Sequence, residues 1–290
     1  MALGMFDGVH LGHQHVVRQA WLDARALGAA SVILTFNPHP LAVIAPDRAP
    51  NLLQSVAERT RLLGELGIDA VLLMHFTPET RLVTGEQFVR HLAQGFGRIR
   101  SFTVGEGFQF GHGRSGDVPL LRRLGEELGF VVHATAPIRI GDEIVSSTRI
   151  RGALRAGDLG LVAQLLGRPY TIASTVQTGD RLGRQLGFPT ANLDIRGLEL
   201  PPMGVYAVRV QHRDREWLGA LNLGCRPTLR HPQPSVQCEV HLLDFQGDIY
   251  GEEIRVEFAA LLRSERRFAN PAELREQIGR DVAAVRALLA

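Results

Sequence analysis

Lysine is absent from this chain: all 32 basic side chains are arginine. A Walker-type phosphate loop, Schiff-base catalysis and a protein-kinase nucleotide site each need a lysine, so any phosphate chemistry here falls to backbone amides, arginine, histidine or metal. Cysteine is scarce. Cys225 and Cys238 stand without a second pair, which argues against a disulfide framework and a zinc site and makes both ordinary thiols. No apolar run of about 20 residues is present to span a membrane. The N-terminus, with Asp7, His10 and His13 among its first residues, lacks the basic-then-apolar pattern of a secretory signal. A cytoplasmic, membrane-free location is expected. A block of like charge is also missing: the net charge is +2 and the arginines are spread out, which disfavours nucleic acid as a partner.

What is present is globular composition, 45% hydrophobic and 21% charged, over 290 residues, long enough for two domains that each bury a core. Up to about residue 155, β-rich runs ("SVILTF", "IDAVLLMHF", "IRSFTVG", "FVVHATAP") alternate with helix-like ones. That alternation predicts an open, Rossmann-like α/β domain with a parallel sheet, whose ligands sit beyond the carboxyl ends of the strands. From "RPYTI" onward, β-rich runs are separated by turn residues with no helices between them, which predicts an antiparallel β-barrel. The chain closes on a helix capped by Asn270 with Pro271 at its first position, and with Leu274, Ile278, Val282 and Val285 on one face. The boundary is placed at 168, giving domains 1–168 and 169–290.

Near the start, "GMFDGVHLGH" runs from an apolar strand into a helix. His10 and His13 stand at i and i+3, so both rings face the same way from the first turn, beside amides that favour an anion, while Gly8 and Gly12 allow a phosphate close to the backbone. "VSSTRIR" offers a second helix start, where Ser146, Ser147 and Thr148 can cap and Arg149 and Arg151 add fixed positive charge. "TFNPHP" turns sharply after a strand, so Asn37 and His39 can face the cleft. Taken alone, each is an ordinary helix start or loop.

Taken together with "VGEGFQFGHGRSGD", and in this order and spacing, they resemble the adenylyltransferase module of prokaryotic bifunctional riboflavin kinase/FAD synthetases. The resemblance implies that His10 and His13 bind ATP phosphates and stabilise charge on departing pyrophosphate. It places Gly4, Phe6, Gly12, Ser147, Thr148 and Arg151 at the ATP, and Asn37, His39 and Phe110 at the flavin. Two departures stand out. Gly107 occupies a position where the family typically carries Asn or Asp, which predicts weaker adenylylation. The chain also begins almost on the motif, so either its start is misassigned or its first strand is short, and a truncated strand would hold the histidines less firmly.

A second constellation, "GDRLGRQLGFPTANL", reads as a mobile loop in which Gly179, Gly183 and Gly187 can close over phosphates while Arg181 and Arg184 bring charge. "GFPTAN" resembles the riboflavin kinase signature, which implies that Thr190 and Asn192 bind Mg2+ and nucleotide phosphates, with Phe188 at the flavin. In "CEVHLLDF", strand alternation puts Glu239, His241 and Leu243 opposite Val240 and Leu242, so Glu239 can point into a cleft. The resemblance assigns it the role of catalytic base. "NLGCRPT" and "LLRSERRF" fit the same pattern without assigned roles.

Three readings follow. The first is a bifunctional enzyme that phosphorylates riboflavin to FMN and then adenylylates FMN to FAD, with ATP as co-substrate and Mg2+ as cofactor. The second is a riboflavin kinase with a decayed N-terminal domain, supported by Gly107 and the abrupt start. The third is a flavin-binding regulatory protein, which would need neither a base nor two phosphate sites. Assembly into a homo-oligomer is left open by all three.

Overall fold

The computed structural model describes residues 1–179, 182–226 and 235–290; Arg181, and Pro227 and Thr228 of "NLGCRPT", lie outside the described residues. The chain divides into two compact units. Residues 1–52 and 56–147 form the first, and residues 53–55 and 148–290 the second.

In the first unit, a five-stranded parallel sheet runs in the order Ala70–His75, Val32–Asn37, Ala2–Leu3, Ser101–Gly105, Val131–Thr135. The chain builds outward from Ala2–Leu3 on one side, then returns to build on the other, so the order reverses at that strand. The crevice at such a reversal is where open α/β sheets bind ligands. Ala2–Leu3 pairs with both neighbours, through Ala2 with Ile33, Leu3 with Leu34 and Ala2 with Thr103. Bonds from Gly4 N–H to Leu34 O (3.2 Å) and Thr103 N–H to Met1 O (2.8 Å) extend the pairing.

Strand alternation sends successive side chains to opposite faces. Leu3 and Leu34 pack under the helices Gly85–Phe96 and Val118–Leu128, against Val89, Leu92, Leu121 and Leu124. Ala2 and Ile33 pack on the other side against Val16, Val17 and Ala20 of the helix Leu11–Ala26 and Leu62 and Leu63 of Val56–Glu65. Local chemistry sets the helix ends. Thr84 and Gln87 make a reciprocal capping box, and Asp117 accepts the Leu120 amide at 2.8 Å.

The second unit contains a closed antiparallel barrel in the order Gly204–His212, Arg215–Arg226, Ser235–Leu242, Ala191–Leu193, Thr171–Gln177, Glu253–Ser264 and back to the first. Val208, Val210, Leu221, Val240 and Val256 are fully buried. Asn270 caps the helix Pro271–Leu289 by accepting the Glu273 amide at 2.9 Å. That helix lies on the outer face of the barrel, where its Val282, Val285 and Leu289 pack with Ala207, Ala220 and Leu243.

The expectation of a helix-free barrel segment is corrected by a short helix, Leu182–Leu186, inside the glycine-rich stretch. It is closed by bonds from Gly187 N–H to Arg184 O (3.2 Å) and Phe188 N–H to Gly183 O (2.8 Å). Gly187, at φ +89°, reverses the chain after it, the usual glycine ending. Two further helices, Ser147–Arg155 and Leu159–Leu166, precede the barrel, and the second unit takes both from Thr148 onward.

Candidate functional site

In the first unit the path from strand to helix is tightly constrained. Phe6, Gly8 and Val9 all take positive φ (51°, 88° and 40°), a costly conformation for Phe and for β-branched Val, of the kind that gathers at ligand-binding loops. Phe6 is 1% exposed, and its ring meets the edge of the His13 ring at 5.3 Å. His10 is the N-cap: its Nδ1 accepts the His13 backbone N–H at 3.3 Å, and the two imidazoles stack at 3.6 Å between centroids. Burial, then His10, then Arg59 hold His13 well below the usual histidine pKa, so its ring is neutral near pH 7.

Gly12 passes so close that a Cβ there would lie 3.2 Å from the His10 ring, and Gly4 would meet the Phe6 ring at 3.1 Å. Ser147 donates its hydroxyl to Asp7 O at 2.8 Å, tying the second helix start to the loop. Thr148 and Arg151 fall in the second unit, Thr148 exposed and Arg151 buried.

Asn37 ends its strand, and its carbonyl accepts the Phe76 amide at 3.1 Å. His39 caps the short helix Pro40–Ile44, its Nδ1 accepting the Leu41 amide at 3.1 Å. Phe110 stacks on Phe108 at 5.3 Å and meets Phe88 at 5.9 Å; Phe88 in turn reaches Phe36, which touches Phe76. This aromatic chain, of which the sequence singled out Phe110 alone, leads to the end of the strand that carries Asn37.

In the second unit, the strand register assembles the site. Glu239 pairs with Asn192 on one side and Asn222 on the other, and Asn192 also pairs with Gln177. The result is a polar row across four strands. The Thr190 hydroxyl donates to Glu239 Oε2 at 3.3 Å. His241, two residues along the same face, meets Pro189 O at 2.8 Å through Nδ1 and the edge of Phe188 at 5.5 Å, which fixes the approach to Thr190.

Phe188, Thr190, Asn192, Asn222, Glu239 and His241 line a cavity of about 310 Å³ whose other walls include Glu265, Phe268, and Leu274 and Ile278 of the terminal helix. A neighbouring cavity of about 460 Å³, with Arg184, Phe245 and Tyr250 in its lining, shares Thr190. Gly179 is pressed against Asn192, where an added Cβ would stand 2.2 Å from the amide nitrogen; a Cβ on Gly183 would stand 2.4 Å from Phe188 O. Gly183 itself lines the first cavity. Cys238 faces the core, and burial pushes its thiol up to about 12.

Each unit has its own family match: residues 1–149 match the family described as FAD synthetase and residues 166–289 the family described as riboflavin kinase. A bifunctional riboflavin kinase/FMN adenylyltransferase of Pseudomonas fluorescens is 40% identical over 289 residues, which cover 99% of this chain and 92% of the relative. The chain belongs to the bifunctional riboflavin kinase/FMN adenylyltransferase family. A family member of the same name from Escherichia coli K12 is 39% identical over 282 residues, 97% of this chain and 90% of the relative. A solved structure named a macrolide-efflux protein, from Streptococcus pneumoniae, matches with a TM-score of 0.84 at 28% identity, over 98% of this chain and 93% of that one. The efflux name belongs to that protein; here no helix among the described residues is long and apolar enough to cross a membrane.

Measured against the family reading, the structure brings Gly4, Phe6, His10, Gly12, His13 and Ser147 together in the first unit. In the second it brings together Gly179, Gly183, Phe188, Thr190, Asn192 and Glu239. Sequence reasoning missed Arg59, and it left Asn222, the first residue of "NLGCRPT", without a role. Asn222 was within reach, since it alternates with buried Leu221 and Leu223.

Proposed function

We propose that this chain phosphorylates riboflavin to FMN in its barrel unit and adenylylates FMN to FAD and pyrophosphate in its α/β unit, with ATP as co-substrate of both steps. The observation that carries this is the presence of both family matches in one chain, over separate residues. It disfavours a kinase with a decayed partner domain. The division of labour falls at residue 168, and the enzyme works in the cytoplasm.

For the kinase step, the cavity that Glu239 shares with Phe188 takes the flavin, and the adjoining cavity takes ATP, so Thr190 stands where the two substrates meet. Glu239 accepts the proton of the riboflavin 5'-hydroxyl as that oxygen forms its bond to the γ-phosphorus, and the bond to ADP breaks. Thr190 and Asn192 supply neutral oxygen donors beside one carboxylate, a set that fits Mg2+. Among the described residues no cluster of three His, Cys, Asp or Glu side chains offers a competing site for a metal. When bound, Mg2+ neutralises phosphate charge. Gly179, Gly183 and Gly187 let the backbone cover the phosphates.

Adenylylation needs no base, because the FMN phosphate is already anionic. Its oxygen attacks the α-phosphorus, and pyrophosphate leaves towards His10 and His13, where preorganised donors stabilise the developing charge. Gly4, Phe6, Gly12 and Ser147 hold the nucleotide, and Asn37, His39 and Phe110 the flavin. The test is a time course with purified protein, riboflavin, ATP and Mg2+: FMN should appear first and FAD second, and chelation should stop both. FMN accumulating without FAD at high enzyme concentration would overturn the adenylyltransferase half.

A further inference from the structure

Arg59 lies in the middle of the helix Val56–Glu65 and is 2% exposed, the largest fully buried side chain among the described residues. A guanidinium is seldom taken out of water without a function or a partner that offsets the cost. Its terminal nitrogens donate to two backbone carbonyls, Nη1 to Met5 O at 3.2 Å and Nη2 to Phe36 O at 2.8 Å. Burial pulls its pKa below the ordinary arginine value, against the nearby charge of Asp7, which favours the ionised form.

The location of those carbonyls gives the arrangement its meaning. The strands Ala2–Leu3 and Val32–Asn37 pair at Ala2 with Ile33 and Leu3 with Leu34, and the last ladder-type bond runs from Gly4 N–H to Leu34 O. Beyond that point the two segments part. One becomes the loop to His10 and His13, and the other the turn holding Asn37 and His39. Met5 O is held by the Thr35 hydroxyl at 2.9 Å and by Arg59, and Arg59 reaches across to Phe36 O. The guanidinium therefore takes over from the ladder where backbone pairing stops, and its planar fork fixes the separation of the two carbonyls more rigidly than a flexible ammonium would.

We propose that Arg59 is a positioning residue of the adenylyltransferase: it sets the spacing between the segment that holds the ATP phosphates and the turn that holds FMN, so that the FMN phosphate oxygen and the α-phosphorus meet in line. This rests on the assignment of His10 and His13 to the ATP phosphates. A strut of this kind touches neither substrate. Its loss leaves each ligand able to bind and spoils their mutual placement, and a misplacement of about 1 Å can cost on the order of 100-fold in rate.

The test uses the full chain with Arg59→Met and Arg59→Lys, measuring turnover of FMN to FAD, separate Kd values for ATP and FMN, thermal midpoint, and riboflavin phosphorylation as an internal control. Arg59→Met is expected to lower kcat by about 30- to 100-fold with both Kd values within about threefold of the parent and the kinase unaffected. Arg59→Lys, which keeps the charge but not the fork, should recover to within about tenfold of the parent. Parental kcat in folded Arg59→Met overturns the inference, and so does loss of affinity for one ligand large enough to account for the whole effect. If Arg59→Met does not fold, Arg59→Lys decides: kcat several-fold below parent with unchanged Kd supports the strut, and parental kcat overturns it. A parallel His10→Ala/His13→Ala variant separates the two assignments. If it loses turnover while Arg59→Met does not, only the strut fails; if it keeps turnover, the histidine assignment fails.

Discussion

Glu239 and Asn192 stand opposite each other on neighbouring antiparallel strands of the barrel, in register. Because the barrel is closed, the spacing between that carboxylate and that amide is fixed by ladders on both sides, with Asn222 completing the row beyond Glu239. The two side chains proposed as base and metal ligand of the kinase step are thus built on rigid strands, while Thr190 comes from the segment that His241 anchors.

Glu239→Ala should abolish FMN formation, lowering it by roughly 100- to 10,000-fold, the range typical of a removed general base. Adenylylation of supplied FMN should stay within twofold of the parent. Both rates come from separated reaction products, and loss of both activities in a folded variant would contradict two independent sites.

Gly179→Ala should damage the kinase without touching the carboxylate. Its Cβ would stand 2.2 Å from the Asn192 amide nitrogen, so the side chain must shift. The expected signature is a raised Mg2+ requirement and a fall in kinase kcat of about tenfold or more. Titrating the rate against Mg2+ checks it.

Gly107→Asn should fold as well as the parent, because a Cβ at 107 meets nothing within 4 Å and its φ is not positive. Stability should change by no more than about 0.5 kcal/mol. If a polar contact is what the nucleotide site lacks, FAD synthesis rises, as steady-state rates at limiting ATP would show.

His13 is expected to make the α/β unit sensitive to acid. Burial, His10 and Arg59 hold its pKa below the ordinary 6.5, so below pH 6.5 the unfolded chain binds a proton that the folded chain refuses. Stability is therefore complete above pH 6.5 and falls as the pH drops beneath it. Thermal midpoints from pH 7.5 to 5 should fall more steeply for the parent than for His13→Gln.

Elements with strong internal periodicity could be read directly. The alternating runs specify both sheets because a strand buried on one or both faces writes that burial into its own residues, and the terminal helix carries its cap and first-turn proline in sequence. Contiguous site segments were legible for the same reason. Arg59 was not. In "VAERTRLLGE" it sits two residues from Arg61, an outwardly similar arginine that pairs with Glu58 and Glu65; only the meeting of two strand ends around Arg59 distinguishes them. Asn222 and Glu239 are likewise neighbours through register, which no single segment encodes. The helix Leu182–Leu186 was obscured by the glycines at 179, 183 and 187, whose main signal was for a loop.

The capping bond at the first helix also decides where the His10 ring keeps its hydrogen. By accepting the His13 amide, Nδ1 must present a lone pair, so the imidazole is held as the Nε2–H tautomer. The hydrogen then sits on the nitrogen that the backbone does not use, which makes Nε2 the ring's donor. Nitrogen-15 spectra of the labelled protein would show the neutral His10 ring locked in one tautomer instead of exchanging between two, with the helix start serving as its orienting group.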